Sequence, residues 1–152
     1  MAVRLYRFSV FKQLDKKYMD MLTLLFEPFS CAAGNVVLQQ GKPAEYLYLI
    51  INGRVEISYK PYDGQPMTVT RVEKGGLFGW SAVVGSETYT SSAIAVEALK
   101  AVRVRGSELR KFCAERPEAG REILENLAKS VSSRWKDAND QVKSILTQGM
   151  NK

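Results

Sequence analysis

The sequence predicts an α+β fold, mainly β: an antiparallel, jelly-roll-like β-roll flanked by an N-terminal helical segment and a long C-terminal helix. Three observations predict it. Between Phe29 and Arg105, short runs alternate apolar and polar residues and are separated by closely spaced turn residues. Before Pro28, apolar residues recur at steps of three and four. After Pro117 they do so again, over a much longer stretch. The chain divides into a helical segment over 1–28, a roll over 29–106 with a distinctive stretch at 75–96, and helices over 107–148.

The first helix rests on Phe11, Leu14, Tyr18, Met21 or Leu22, and Leu25, with interruption or capping at Asp15 and an end before Pro28. The period then shortens. Residues 35–41 form a short strand running into a turn, which Lys42 to Glu45 continue. Residues 46–51 are an apolar run of strand length. Asn52-Gly53 is the strongest hairpin signal in the chain, since both residues tolerate positive φ. Val55, Ile57 and Tyr59 share one face of the next strand. Residues 61–66 turn again, and 67–72 alternate once more. Val102 and Val104 lie on one face of a last strand, with Arg103 and Arg105 on the other. Ser107 can cap a short helix reaching about Cys113.

The stretch 75–98 is the least ordinary. Gly75-Gly76 makes a turn, Trp80 to Val84 is a short apolar helix, a polar loop follows, and Ala93 to Val96 reads as a strand. Backbone amides and the hydroxyls of Ser81, Thr88, Thr90, Ser91 and Ser92 would line a small concave cradle of the kind that suits an anion. The same stretch also reads as an ordinary connection that packs a roll.

Pro117-Glu118 opens the long C-terminal helix, with proline in the first turn and an acid at the positive end of the dipole. Leu124, Ala128, Val131, Trp135, Ala138, Val142 and Ile145 follow at alternating steps of four and three. That is a heptad seam, and it predicts self-association through the helix over 117–148. Leu127 falls off the seam and faces the roll. A helix of roughly 30 residues spans about 45 Å, longer than a domain this small can cover.

Composition excludes several classes. The 152 residues carry no histidine, which removes the usual general base and the commonest metal and haem ligand. The net charge of +6 comes from scattered residues rather than a basic run. Gly79 to Val83 begins like a nucleophile elbow but ends on Val83 where a glycine is required. Gly34 and Gly41 are too far apart for a phosphate-binding loop, and Pro43 follows Lys42. The two cysteines, Cys31 and Cys113, fit no metal spacing and predict free thiols. With no signal-peptide core and no apolar run of membrane length, the sequence predicts a cytoplasmic protein that is not an enzyme and takes no metal or cofactor.

Residue by residue, the chain resembles the cyclic-nucleotide-binding domain family. The matching residues run from Gly34 to Ala128 and include Gly34 with Leu38, Gly41 with Ala44, Tyr48, Ile50, Gly53 and Val55. Gly75 with Phe78-Gly79, Ser92-Ala93, Pro117-Glu118 and Leu127-Ala128 complete the set. The resemblance implies that 75–96 is the phosphate-binding cassette. It makes Phe78, Gly79, Trp80, Ser81, Ala82, Thr90, Ser91, Ser92 and Ala93 the candidate ligand-binding residues, joined by Arg134 and Trp135 from the C-terminal helix.

Two departures from the family pattern follow. Trp80 stands where the family has the glutamate for the ribose hydroxyl. Ser91, or Thr90 in an alignment one residue different, stands where it has the arginine for the cyclic phosphate. A bidentate arginine–phosphate pair is two charge-assisted bonds, so its absence costs about 3–6 kcal/mol, or about 10²- to 10⁴-fold in affinity.

Two functions of different class are therefore expected. In the first, a stand-alone regulatory module binds cyclic AMP, cyclic GMP or a related small ligand and signals through its C-terminal helix, as a homodimer without DNA or membrane partners. In the second, Trp80 and the nearby valines fill the cassette, and the domain is a nucleotide-free dimerisation or protein-interaction module. A less anionic, more apolar ligand stacking on Trp80 is a third variant.

Overall fold

Asp15 caps the first α-helix, as its place in the sequence predicts. Its carboxylate accepts the Lys17 N–H at 3.0 Å, and α1 runs Lys16–Thr23. The computed structural model describes residues 4–61 and 64–130. Upstream of α1 the chain makes two single 3-10 turns, Leu5–Arg7 and Ser9–Phe11, rather than a continuous helix. Phe11 is nonetheless fully buried, so the apolar stripe packs as expected although its first turns are not α-helical.

The next element corrects the helical reading of 1–28. Strand β1, Phe26–Cys31, starts two residues before Pro28. It lies at the edge of its sheet, where a residue without an N–H is tolerated. The remaining strands are β2 Val36–Leu38, β3 Tyr46–Asn52, β4 Val55–Tyr59, β5 Met67–Val72, β6 Leu77–Phe78, β7 Ser92–Ala95 and β8 Leu99–Arg105. The first sheet is ordered β1-β8-β3-β6 and the second β2-β7-β4-β5. Every pairing between these strands is antiparallel.

Asn52-Gly53 turns the chain but makes no hairpin. β3 pairs with β6 and β8, while β4 pairs with β5 and β7, so the turn carries the chain from one sheet to the other. The segment before β8 packs into that corner, with the Val96 N–H donating to the Arg54 carbonyl at 3.0 Å. The expected turn over 61–66 falls partly outside the described residues.

The two faces of the first sheet serve two cores. Inside the roll, Tyr48, Ile50, Val55, Phe78, Ala93 and Ala101 pack together. On the outer face, Leu47, Leu49, Val102 and Val104 meet the helices through Leu109 and Leu127. The alternation read on β8 is thus observed: Val102 and Val104 face the helices, and Arg103 lies over the Tyr46 ring at 4.1 Å. Helix α3 spans Gly106–Glu115, so Ser107 lies inside it and does not cap it. Helix α4 spans Pro117–Lys129, with Glu118 in its first turn. Asn126 Nδ2 ties α4 to the N-terminal segment through the Val10 carbonyl at 3.3 Å.

Of the predicted seam, Val131, Trp135, Ala138, Val142 and Ile145 lie outside the described residues. Ala128 is corrected. It is 0% exposed, packed inside the chain's own helical core, and has no surface to offer a partner. Leu124 is half-buried against the same core, and Leu127 faces the body of the domain as its register predicted. Among the described residues, no helix is long and apolar enough to cross a membrane.

Candidate ligand-binding cassette

Gly79 sets the geometry of the cassette. It has φ +88°, and a Cβ there would lie 2.6 Å from the Tyr46 carbonyl oxygen, so only glycine fits this approach to β3. It ends β6 and serves as the N-cap of the short helix α2, Trp80–Val84. Gly85 closes α2 in the left-handed conformation. Arg110 of α3 donates through Nη1 to the Ala82 carbonyl at the C-terminal end of α2. That contact joins the cassette to the C-terminal helices.

The fit between α2 and α3 is close. A Cβ on Gly106, the first residue of α3, would overlap the Ala82 backbone. Any shift of α2 must therefore move α3 or lose that contact.

Trp80 does not line the cassette. Its ring is 6% exposed and belongs to the helical core with Val83, Leu109 and Phe112, on the far side of the sheet from the roll interior. Its Nε1 has no hydrogen-bond partner among the described residues. The expectation that Trp80 contacts a ligand, or fills the pocket, is corrected. The helical core takes the largest apolar side chain of α2, at the cost of an unsatisfied donor of about 1–3 kcal/mol. Three more candidates turn inward. Phe78 stacks on Tyr48 inside the roll at 4.9 Å, and Ala82 and Ala93 are fully buried, so they can offer a ligand only backbone.

Two of the predicted hydroxyls, Ser81 and Thr90, come together. Ser81, 9% exposed, accepts the Thr90 N–H at 3.4 Å, and its Oγ lies 3.3 Å from Thr90 Oγ1. Ser92 Oγ accepts the Gln40 N–H at 2.9 Å. Ser91, half-buried between them, has no side-chain hydrogen bond among the described residues. The resemblance sets Ser91, or Thr90, where the family has its arginine, and neither brings a charge.

A groove of about 660 Å³ runs past Ser92, within the size range of small-ligand sites. Ser58, Gln39, Gln40 and Lys60 supply its polar lining. Gln40 fixes this wall with a two-point clamp: its Nε2 donates to the Lys60 carbonyl at 3.0 Å, and its Oε1 accepts the Lys60 N–H at 2.9 Å. Lys60 has no ion-pair partner among the described residues. Sequence reasoning missed this cation, since it lies 31 positions from Ser91 with nothing local to mark it.

Sequence reasoning also missed Tyr89. Read as part of a polar loop, it is 7% exposed and inserted into the roll interior. The turn at 41–44 grips the same loop. Tyr89 N–H donates to the Lys42 carbonyl at 2.9 Å, and its own carbonyl accepts the Gly41 N–H at 2.9 Å. Arg134 and Trp135 lie outside the described residues. No group of histidine, cysteine or acidic side chains suited to a metal ion occurs among the described residues.

Comparison with known proteins fits this geometry. Residues 28–116 match the family described as Cyclic nucleotide-binding domain. The CRP-like cAMP-activated global transcriptional regulator of Mycobacterium tuberculosis is 30% identical over 125 residues, 82% of this chain; the chain spans 56% of that relative's length. A crystal structure from Geobacter metallireducens GS-15 has a TM-score of 0.76 at 29% identity, covering 86% of this chain and 95% of its own. The regulatory subunit of a cAMP-independent protein kinase A from Trypanosoma cruzi, solved bound to guanosine, shares the fold. Its TM-score is 0.73 at 16% identity over 92% of this chain and 48% of that one. Sequence and fold agree, and the chain belongs to the cyclic nucleotide-binding domain family.

Proposed function

We propose that this chain is a regulatory module that senses a nucleoside-type ligand without an arginine–phosphate pair, and that it reports occupancy through its C-terminal helices. The observation that carries this reading is Ser91, an uncharged hydroxyl with no side-chain hydrogen bond among the described residues, where the resemblance sets the family's cation. With no guanidinium there, a cyclic phosphate gains little over a neutral hydroxyl. Both ligands lose the ribose glutamate that Trp80 replaces, but an uncharged nucleoside is spared the phosphate loss, because its ribose and base use hydroxyls, amides and apolar surface. The guanosine complex of the T. cruzi subunit supports it: that protein, with the same fold, holds an uncharged nucleoside. Lys60 supplies the groove's own positive charge, so a phosphate is tolerated but not required.

The route to a response runs from α2 through Arg110 and Gly106 into α3, and on to α4. The heptad residues Val131, Trp135, Ala138, Val142 and Ile145 support a homodimer built beyond residue 130, which sedimentation at micromolar concentration checks.

Thermal unfolding with millimolar adenosine, guanosine, cyclic AMP and cyclic GMP tests the ligand. A compound at 100 times its dissociation constant adds about 2.7 kcal/mol of stability. At least one nucleoside is expected to stabilise as strongly as its cyclic nucleotide. A shift confined to the cyclic nucleotides overturns the reading.

A second reading has its own observation. Tyr89 and Phe78 occupy the roll interior, which supports a nucleotide-free interaction module. No shift with any of the four compounds favours that reading.

A further inference from the structure

A second cavity lies well away from the cassette, between the N-terminal 3-10 turns and the outer face of the first sheet. Its volume is about 190 Å³. The β1–β8 register pairs Pro28 with Val102 and Ser30 with Lys100, which sets these four side chains on one face. Phe8, 2% exposed, and Ile51 complete an apolar lining.

The rim is basic. Arg4, Arg7 and Lys100 line the same cavity, and among the described residues no carboxylate does. None of the three has a side-chain hydrogen bond or ion pair among the described residues. The other cations of this sheet are matched: Arg103 pairs with Glu27 at 2.8 Å, and Arg105 with Glu45 at 3.8 Å. Three unmatched cations around a small apolar hole are thus a local feature, not the general condition of the sheet.

We propose that this cavity binds a compact apolar carboxylate, an aromatic acid or a short-chain acid, with its body in the hole and its carboxylate on the basic rim. The size fits. An apolar cavity of about 150 Å³ admits a benzene ring, so this one holds a single ring or a chain of about six carbons and excludes a nucleotide. The chemistry fits as well: an apolar pocket with a few convergent charged groups fixes the orientation of an amphipathic ligand. Arginine matches a carboxylate with two parallel bonds. The Ser30 hydroxyl adds a neutral polar contact at the wall.

The experiment uses the full chain and amide chemical-shift titrations with benzoate, hexanoate, benzyl alcohol and inorganic phosphate up to about 10 mM, the affinity range of so small a ligand. Benzoate and hexanoate are expected to give saturable shifts around Phe8, Ser30 and Lys100. Benzyl alcohol, lacking the charge, and phosphate, lacking the apolar body, should bind about tenfold more weakly or not at all. Arg4→Gln with Arg7→Gln should weaken benzoate by about tenfold or more while leaving any nucleoside response at the cassette unchanged. Ser30→Leu, which fills the hole, should abolish the benzoate shifts. The proposal is overturned by no saturable shift with either acid, by equal binding of benzyl alcohol and benzoate, or by shifts that cluster at the cassette.

Discussion

The Tyr89 hydroxyl holds the Tyr46 backbone at two points, donating to its carbonyl at 2.8 Å and accepting its N–H at 2.9 Å. Tyr46 begins β3, and Tyr89 sits in the cassette loop two residues before Ser91. One side chain therefore fixes the distance between the first sheet and the loop that carries Thr90, Ser91 and Ser92. Replacing Tyr89 by Phe leaves both backbone groups of Tyr46 without this partner, a loss of about 1–3 kcal/mol. The melting temperature should fall by about 3–10 °C. An unchanged melting curve would mean that the loop is held by the 41–44 turn alone.

The same residue gives the protein an alkaline limit. Burial pushes the Tyr89 phenol up from 10.0 to about 12 and the Cys113 thiol up from 9.0 to about 11. Each group is protonated in both folded and unfolded chains at neutral pH. Above the unfolded value the unfolded chain releases its proton first, and stability falls until the folded value is passed. Denaturant midpoints should hold level from pH 7 to 9 and then decline through pH 9–12. Cys113→Ala should flatten the lower part of that decline and Tyr89→Phe the upper part. A decline of the same shape in both variants would assign it to other groups.

Trp80 gives a spectroscopic check on its burial in the helical core. In a Trp135→Phe background it is the only tryptophan, and its emission should be blue-shifted and poorly quenched by acrylamide. Trp80→Ala should cost about 3–5 kcal/mol, as for other large core residues. Quenching like that of free tryptophan would restore Trp80 to the cassette.

Gly106 tests the link between α2 and α3. Gly106→Ala puts a methyl group into the Ala82 backbone and should cost about 1–3 kcal/mol or more. Ser107→Ala, on the exposed neighbour, should stay within about 0.5 kcal/mol. Equal effects would mean that the two helices do not depend on this approach.

Much of this architecture is legible in local patterns. The alternation of Val55 and Ile57, the Asp15 cap, and the opposite faces of Val102 and Arg103 are properties of a few neighbouring residues. What escaped depends on distant partners. Phe26 continues the helical spacing of Leu22 and Leu25, and only pairing with β8 makes it a strand. Asn52-Gly53 makes the turn its residues favour, but which sheet receives the chain is decided by β7 and β8. A five-residue helix is too short to display a period, so nothing local reports that Trp80 faces Leu109 rather than the roll. Tyr89 is flanked by Thr88 and Thr90 in a stretch without alternation, and its burial is set by Tyr46, 43 positions away.

The central claim is that a hydroxyl at Ser91 in place of the family's arginine turns the cassette toward nucleosides. Isothermal titration of the native chain and Ser91→Arg with adenosine, guanosine and their cyclic monophosphates tests it most directly. The native chain should bind a nucleoside at least as tightly as its cyclic nucleotide. Ser91→Arg should favour the cyclic nucleotide over that nucleoside by a further 10²- to 10⁴-fold, on the order of two charge-assisted bonds. A native chain that binds cyclic AMP or cyclic GMP tenfold or more tightly than either nucleoside would contradict the account.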